Sequence, residues 1–134
     1  MNCLYRLKIS FDNAMLNNKK FIIIPYYIIY YNILLLLYKE KYIKNFIIVY
    51  SQITYKNYIF IELLYNNNIL QKFKIFIFNK KLKYKLRINS TYKLLKKGGM
   101  FIVSTVMGLI NINKTNLIKL NGKILIYISN GYNL

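Results

Sequence analysis

The stretch that decides the fold runs from Lys97 to Ile128, KGGMFIVSTVMGLININKTNLIKLNGKILIYI. It carries four of the chain's five glycines. Met100 to Val103 is an apolar strand that runs directly into Ser104-Thr105, and Gly108 follows three residues later. Leu117 and Leu120 fit a short helical turn. Asn121-Gly122 then turns the chain into a second apolar strand, Ile124 to Ile128. The stretch reads as a glycine-bearing polar loop between two buried strands, with a positive φ or a close backbone approach expected at Gly108.

Upstream, Ser90 is placed to cap a short helix from Thr91 to Lys97, which Gly98 closes. Before it, Lys80, Lys81, Lys83, Lys85 and Arg87 alternate with Leu82, Tyr84 and Leu86, so an extended backbone puts the basic side chains on one face. Phe73 to Phe78 reads as a strand. Asn66-Asn67-Asn68 is a turn. It is the expected boundary between an N-terminal α/β domain, residues 1–66, and a C-terminal β-rich domain, residues 67–134.

Within the first domain, Leu4, Leu7 and Phe11 share one helical face over residues 4–16. Asn13 and Asn17-Asn18 mark the end of that helix, and Lys19-Lys20 follow in the turn. Phe21 to Ile24 is a short strand stopped by Pro25, which suits the first turn of a helix running to Glu40. The face assigned to that helix holds Ile29, Ile33, Leu36, Leu37 and Glu40. Tyr42 to Val49 and Tyr58 to Tyr65 are strands, the second with Glu62 on an exposed face. Ser129 to Leu134 is expected to be a loose tail. The fold class is therefore α/β in the mixed, α+β sense. Helix-strand-helix-strand-strand comes first, and a mostly β half with short helices follows.

At 134 residues and 56% hydrophobic composition the chain can build a core. Its charge is lopsided, with 21 basic residues against three acids, Asp12, Glu40 and Glu62, and a formal net charge of +18. Self-repulsion of that size calls for a polyanion, either nucleic acid or an anionic membrane surface. The excess of Ile, Lys, Asn, Tyr and Phe is what AT-rich codons encode, so the sign of the charge carries more meaning than its size. With no histidine, Ser-His-Asp and Cys-His chemistry is excluded. Cys3 is the one cysteine, which allows neither a disulfide framework nor a cysteine-based zinc site within the chain. Neither catalytic nor metal-binding residues are assigned, and no cofactor or small-molecule substrate is expected. Phe21 to Tyr38 is uncharged for eighteen residues, the minimum for a bilayer span. A small basic membrane protein inserted through residues 21–38 is thus the rival reading, but Pro25 divides the stretch and argues for no membrane partner. No cleavable signal or imported-organelle extension is expected at the beginning.

Several blocks together resemble the small-subunit ribosomal protein eight (S-eight) family of bacteria and organelles. That family's most specific block is a glycine, an apolar strand, Ser-Thr-Ser-Lys-Gly, an apolar pair, a helical turn, and Gly-Gly-Glu before a last strand. Here it reads Gly99, Met100 to Val103, Ser104-Thr105-Val106-Met107-Gly108, Leu109-Ile110, Asn121-Gly122-Lys123 and Ile124 to Ile128. Asn13-Ala14, Ile24-Pro25 and Leu37-Tyr38-Lys39-Glu40-Lys41-Tyr42-Ile43 stand at family spacings, the last against Leu-Lys-Glu-Glu-Gly-Tyr-Ile. Arg87 matches a family arginine. The chain departs at Val106 and Met107, at Asn121 and Lys123, at Asn89, at Ser10-Phe11-Asp12 and at Tyr26-Tyr27.

The resemblance implies a structural protein of the small ribosomal subunit that binds the central domain of small-subunit ribosomal RNA through its C-terminal domain, early in assembly. It also implies neighbouring small-subunit proteins as partners. The RNA-binding residues it points to are Ser104, Thr105, Gly108, Arg87 and Gly122, with Asn13 in the first domain. Lys114, Lys119 and Lys123 around the loop are expected to make phosphate contacts that position without specifying, and Lys19-Lys20 reads equally as a backbone contact or a solvated turn. Codon bias and the missing transit sequence point to an organellar ribosome, a relict plastid of the apicoplast type ahead of a mitochondrion.

Overall fold

Leu4, Leu7 and Phe11 do line one side of a helix in the computed structural model, which describes residues 2–77, 99–105, 108–112 and 123–130. The helix, α1, spans Asn2–Leu16 and also buries Ala14 and Met15. It has no acid in its first turn and no base in its last, forgoing roughly 0.5 kcal/mol at each end. Burial of four large apolar side chains at roughly 2 kcal/mol each outweighs that loss. The chain divides into two compact units, Asn2–Lys72 and Phe73–Leu134.

In the first unit α1 is followed by β1 (Phe21–Pro25), α2 (Ile28–Lys39), β2 (Ile43–Ser51), β3 (Lys56–Leu63) and a short hairpin, β4 (Tyr65–Asn66) and β5 (Ile69–Leu70). The long strands form an antiparallel sheet in the order β1-β3-β2. Register places Ile22 opposite Ile61 and Ile24 opposite Ile59, and these four are buried. Helix α1 packs on β1 and α2 on β2, where Phe46 meets the rings of Tyr31 and Tyr38 edge-on. The other face carries Phe21, Ile23, Ile47 and Val49, all exposed, around half-buried Tyr58 and Phe60. Three asparagines make the β4–β5 turn as expected, with Asn67 and Asn68 both at positive φ.

Two sequence expectations need correction here. Pro25 is the last residue of β1, opposite Tyr58, instead of the first turn of the helix. Helix α2 begins at Ile28, and its buried face is Tyr30, Ile33, Leu34 and Leu37, not the row containing Ile29, Leu36 and Glu40. A helix that is apolar all round has no polar stripe to fix its rotation, so packing decides it. Tyr30 is the residue that sets it: its hydroxyl donates to the carbonyl of Cys3, tying α2 to α1. Glu62 does lie on the open face, opposite Phe21, where it is half-buried and pairs with Lys44 at 3.3 Å. The eighteen-residue uncharged stretch is split between β1 and the twelve residues of α2. Among the described residues no helix is long and apolar enough to cross a membrane.

In the second unit β6 (Phe73–Ile77), β7 (Met100–Thr105), β8 (Gly108–Ile112) and β9 (Lys123–Asn130) form an antiparallel sheet in the order β6-β9-β7-β8. Strand β7 is interior, and Met100, Phe101, Ile102 and Val103 are all buried, so both its faces are covered. Tyr127 packs on Phe101 at a centroid distance of 4.8 Å. A Cβ at Gly99 would stand 2.5 Å from both the Ile128 carbonyl oxygen and the Tyr127 hydroxyl, so only glycine fits under that ring. Strand β8 is unforeseen by the sequence reading, and β9 runs past the expected end. Ser129 and Asn130 belong to β9, and Ser129 is buried, where a loose tail was expected.

Candidate nucleic-acid interface

The expected loop after β7 is a hairpin. Ser104 and Thr105 are the last two residues of β7, and Gly108 opens β8, with Thr105 opposite Gly108 and Ser104 opposite Leu109. On its other side Ser104 is paired with Lys123, the first residue of β9. Ser104, Thr105, Gly108 and Lys123 are therefore brought together at one end of the four-stranded sheet. Ser104 is half-buried, with its hydroxyl available both to donate and to accept.

Local sequence explains the geometry. Gly108 adopts φ +106° with nothing within 4 Å of where a Cβ would sit, so glycine is needed for backbone conformation and not for room. Between Ile102 and Val103 the pairing with β9 shifts: Ile102 faces Ile126, but Val103 faces Ile124. The extra residue, Leu125, makes a β-bulge, which puts Ile124 in the apolar cluster with Phe101, Val103 and Tyr127. The same shift brings Lys123 into register with Ser104. Tyr127, opposite Phe101, has its phenol pushed above its ordinary value by burial, with a Ser129 hydrogen bond pulling the other way.

The first unit holds a second group of expected residues. Asn13 and Lys19 line one cleft, of about 370 Å³, between α1 and β1, together with Ser10 and Phe21. Lys20 is exposed and its ammonium lies 5.8 Å from the centre of the Phe21 ring. The turn that carries these lysines is tightly held. Lys19 N–H donates to the Ala14 carbonyl and Asn18 N–H to the Met15 carbonyl, with Asn18 at φ 50°. The Tyr65 hydroxyl donates to the carbonyls of Asn18 and Lys19 at 2.8 and 3.0 Å, and Leu63 N–H donates to that of Lys20. Tyr65 was not singled out in the sequence, and nothing in a tyrosine-rich chain separates it from fourteen others.

Arg87, Lys114, Lys119 and Gly122 lie outside the described residues, as do the basic run of residues 80–87, the helix expected at residues 91–97 and the turn through Leu117 and Leu120. A further cavity of about 700 Å³ at the end of α2 is lined by Lys39, Lys41 and Lys44, none of which the sequence reading marked. Among the described residues no group of three His, Cys, Asp or Glu is placed to hold a metal ion. Of the acids, Asp12 is paired with Lys8 and Glu62 with Lys44.

A family model described as ribosomal protein S8 matches the chain over residues 4–129. No curated protein matches it significantly.

Proposed function

The chain belongs to the ribosomal protein S8 family, whose members are small-subunit ribosomal proteins that bind ribosomal RNA, and from that premise we propose that it binds the central domain of small-subunit RNA and helps fold it during assembly. Its role is structural: it holds RNA and packs against neighbouring small-subunit proteins. RNA reading falls to the C-terminal domain, residues 67–134, with the hairpin end formed by Ser104, Thr105, Gly108 and Lys123 as the contact. Arg87, Lys114, Lys119 and Gly122 complete the set, and Asn13, Lys19 and Lys20 add contacts from the N-terminal domain.

The observation that carries this reading is the convergence of Ser104, Thr105, Gly108 and Lys123 on one sheet end. Small hydroxyls there can reach base edges and ribose hydroxyls of an irregular stem, while a lysine beside them contributes phosphate affinity without sequence information. The family pattern's second serine and its lysine are Val106 and Met107 here, so affinity shifts toward the surrounding lysines. The AT-rich bias of the composition favours an organellar ribosome, a relict plastid ahead of a mitochondrion.

The test compares the full chain with its Ser104→Ala/Thr105→Ala variant on a central-domain RNA fragment and on an unrelated stem. Loss of two hydrogen-bonding hydroxyls should weaken fragment binding about tenfold and the unrelated stem less than about twofold. Equal loss on both RNAs would show that the hairpin only positions the backbone.

A further inference from the structure

Both helices of the first unit end in the same way. In α1 the residue at left-handed φ is Asn18, with Lys19 N–H bonded to Ala14 and Asn18 N–H to Met15. In α2 the equivalent residue is Lys41, at φ 61°, with Tyr42 N–H bonded to Leu37 and Lys41 N–H to Tyr38. This closure strongly favours glycine, and asparagine next, because a Cβ is strained there. Asparagine occupies three of the five described non-glycine positions with positive φ, and Lys41 and Tyr55 are the exceptions. A lysine held in a disfavoured conformation is a reason to look at what its side chain faces.

It faces the cavity of about 700 Å³, which Lys39 and Lys44 also line. Lys44 reaches it from another irregularity. Ile43 pairs with Leu63 and Asn45 with Glu62, so Lys44 is the extra residue of a bulge in β2. Two departures from regular backbone thus deliver lysines to one opening, and the last turn of α2 delivers the third, Lys39. Three of the four carbonyls that would repel an anion at this helix end are occupied, since Glu40, Lys41 and Tyr42 N–H groups bond to Leu36, Tyr38 and Leu37. Glu40 also lines the cavity, and Glu62 neutralises Lys44 at 3.3 Å. Counting those two carboxylates against three lysines leaves one positive charge, which matches the single negative charge of a phosphodiester. Amide side chains of Asn66 and Gln71 on the wall supply neutral polar partners.

We propose that the cavity at the end of α2 is a second RNA site, which takes one backbone phosphodiester, with Lys41 and Lys39 as its ligands. It rests on the RNA-binding reading above, but uses residues that reading leaves out, and it makes phosphate contact without the base reading proposed for the hairpin end. Lys41 trades stability for this contact.

The experiment measures thermal unfolding and RNA affinity across a salt series for the full chain, with Lys41→Gly, Lys41→Asn and, as a charge-matched control outside the cavity, Lys56→Gln. Both Lys41 variants suit a left-handed backbone. Lys41→Gly should raise Tm by about 3 °C, yet weaken binding to the central-domain fragment about fivefold and lower the slope of log affinity against log salt by about one. Lys41→Asn should match it in binding, and Lys56→Gln should change binding less than about twofold. A Lys41→Gly protein that binds like the parent, or a Lys56→Gln loss equal to it, overturns the site. Failure of the underlying reading looks different: the unaltered chain would show no preference for the fragment over an unrelated stem.

Discussion

The two sheets use the same aliphatic residues under opposite conditions. Ile102, in β7, has none of its surface exposed, whereas Ile23, in β1, is 62% exposed. Strand β7 is interior to its sheet and covered on both faces, so its sequence is apolar without a break. Strand β1 is an edge strand with helices on one side, and its burial alternates along FIIIP even though its sequence does not. The chain's excess of isoleucine leaves the open face of the first unit apolar where alternation would ordinarily place polar residues. Apolar residue type is therefore a poor guide to burial in this chain, and position in the sheet is the better one.

The largest expected effect sharpens that contrast. Ile102→Ala should destabilise the second unit by about 3 to 4 kcal/mol, because it empties a site with no exposed surface. Hydrogen exchange read segment by segment should show the loss across β7 and β9. A cost below about 1 kcal/mol would mean that β7 is not the centre of its core. An intermediate effect cuts across the comparison. Tyr30 in the first unit and Tyr127 in the second both have phenols raised above the ordinary 10.0, chiefly by burial. The folded chain holds these protons more tightly than the unfolded chain does. Their stabilisation is thus complete below pH 10 and is lost as pH rises toward the raised folded values. Denaturant midpoints of both units should be flat up to about pH 9 and fall above 10. A fall in one unit alone would separate the two tyrosines. The smallest effect is on the open face, where Ile23→Ala should change stability by no more than about 0.5 kcal/mol. A larger cost would mean that the face is covered.

Features tied to residues with one strong conformational preference were legible in the sequence. Asn17-Asn18 ends α1, the Asn66-Asn67-Asn68 run makes a hairpin, and Gly108 sits at positive φ. The apolar strands around Ser104-Thr105 were legible because β-branched and aromatic runs have few other uses. What escaped was set by packing. The rotation of α2 depends on Tyr30 reaching Cys3, a contact 27 residues away. Strand β8, with the sequence GLINI, is short, carries an asparagine and follows Val106-Met107, which is no turn dipeptide. The residues the family resemblance pointed to, Ser104, Thr105 and Gly108, and the nearby Lys123 do come together at one sheet end. The bulge at Leu125 that aligns two of them leaves no signature in a run of aliphatic residues.

The clamp on the turn after α1 has a consequence for the order of events during synthesis. Lys19 and Lys20 leave the ribosome early, but the groups that hold their carbonyls, Leu63 and Tyr65, emerge more than forty residues later. Until then only the helix end restrains the turn. This pair of cations thus acquires its fixed shape only when the first unit is nearly complete, so a contact of the kind proposed for them would follow the folding of that unit.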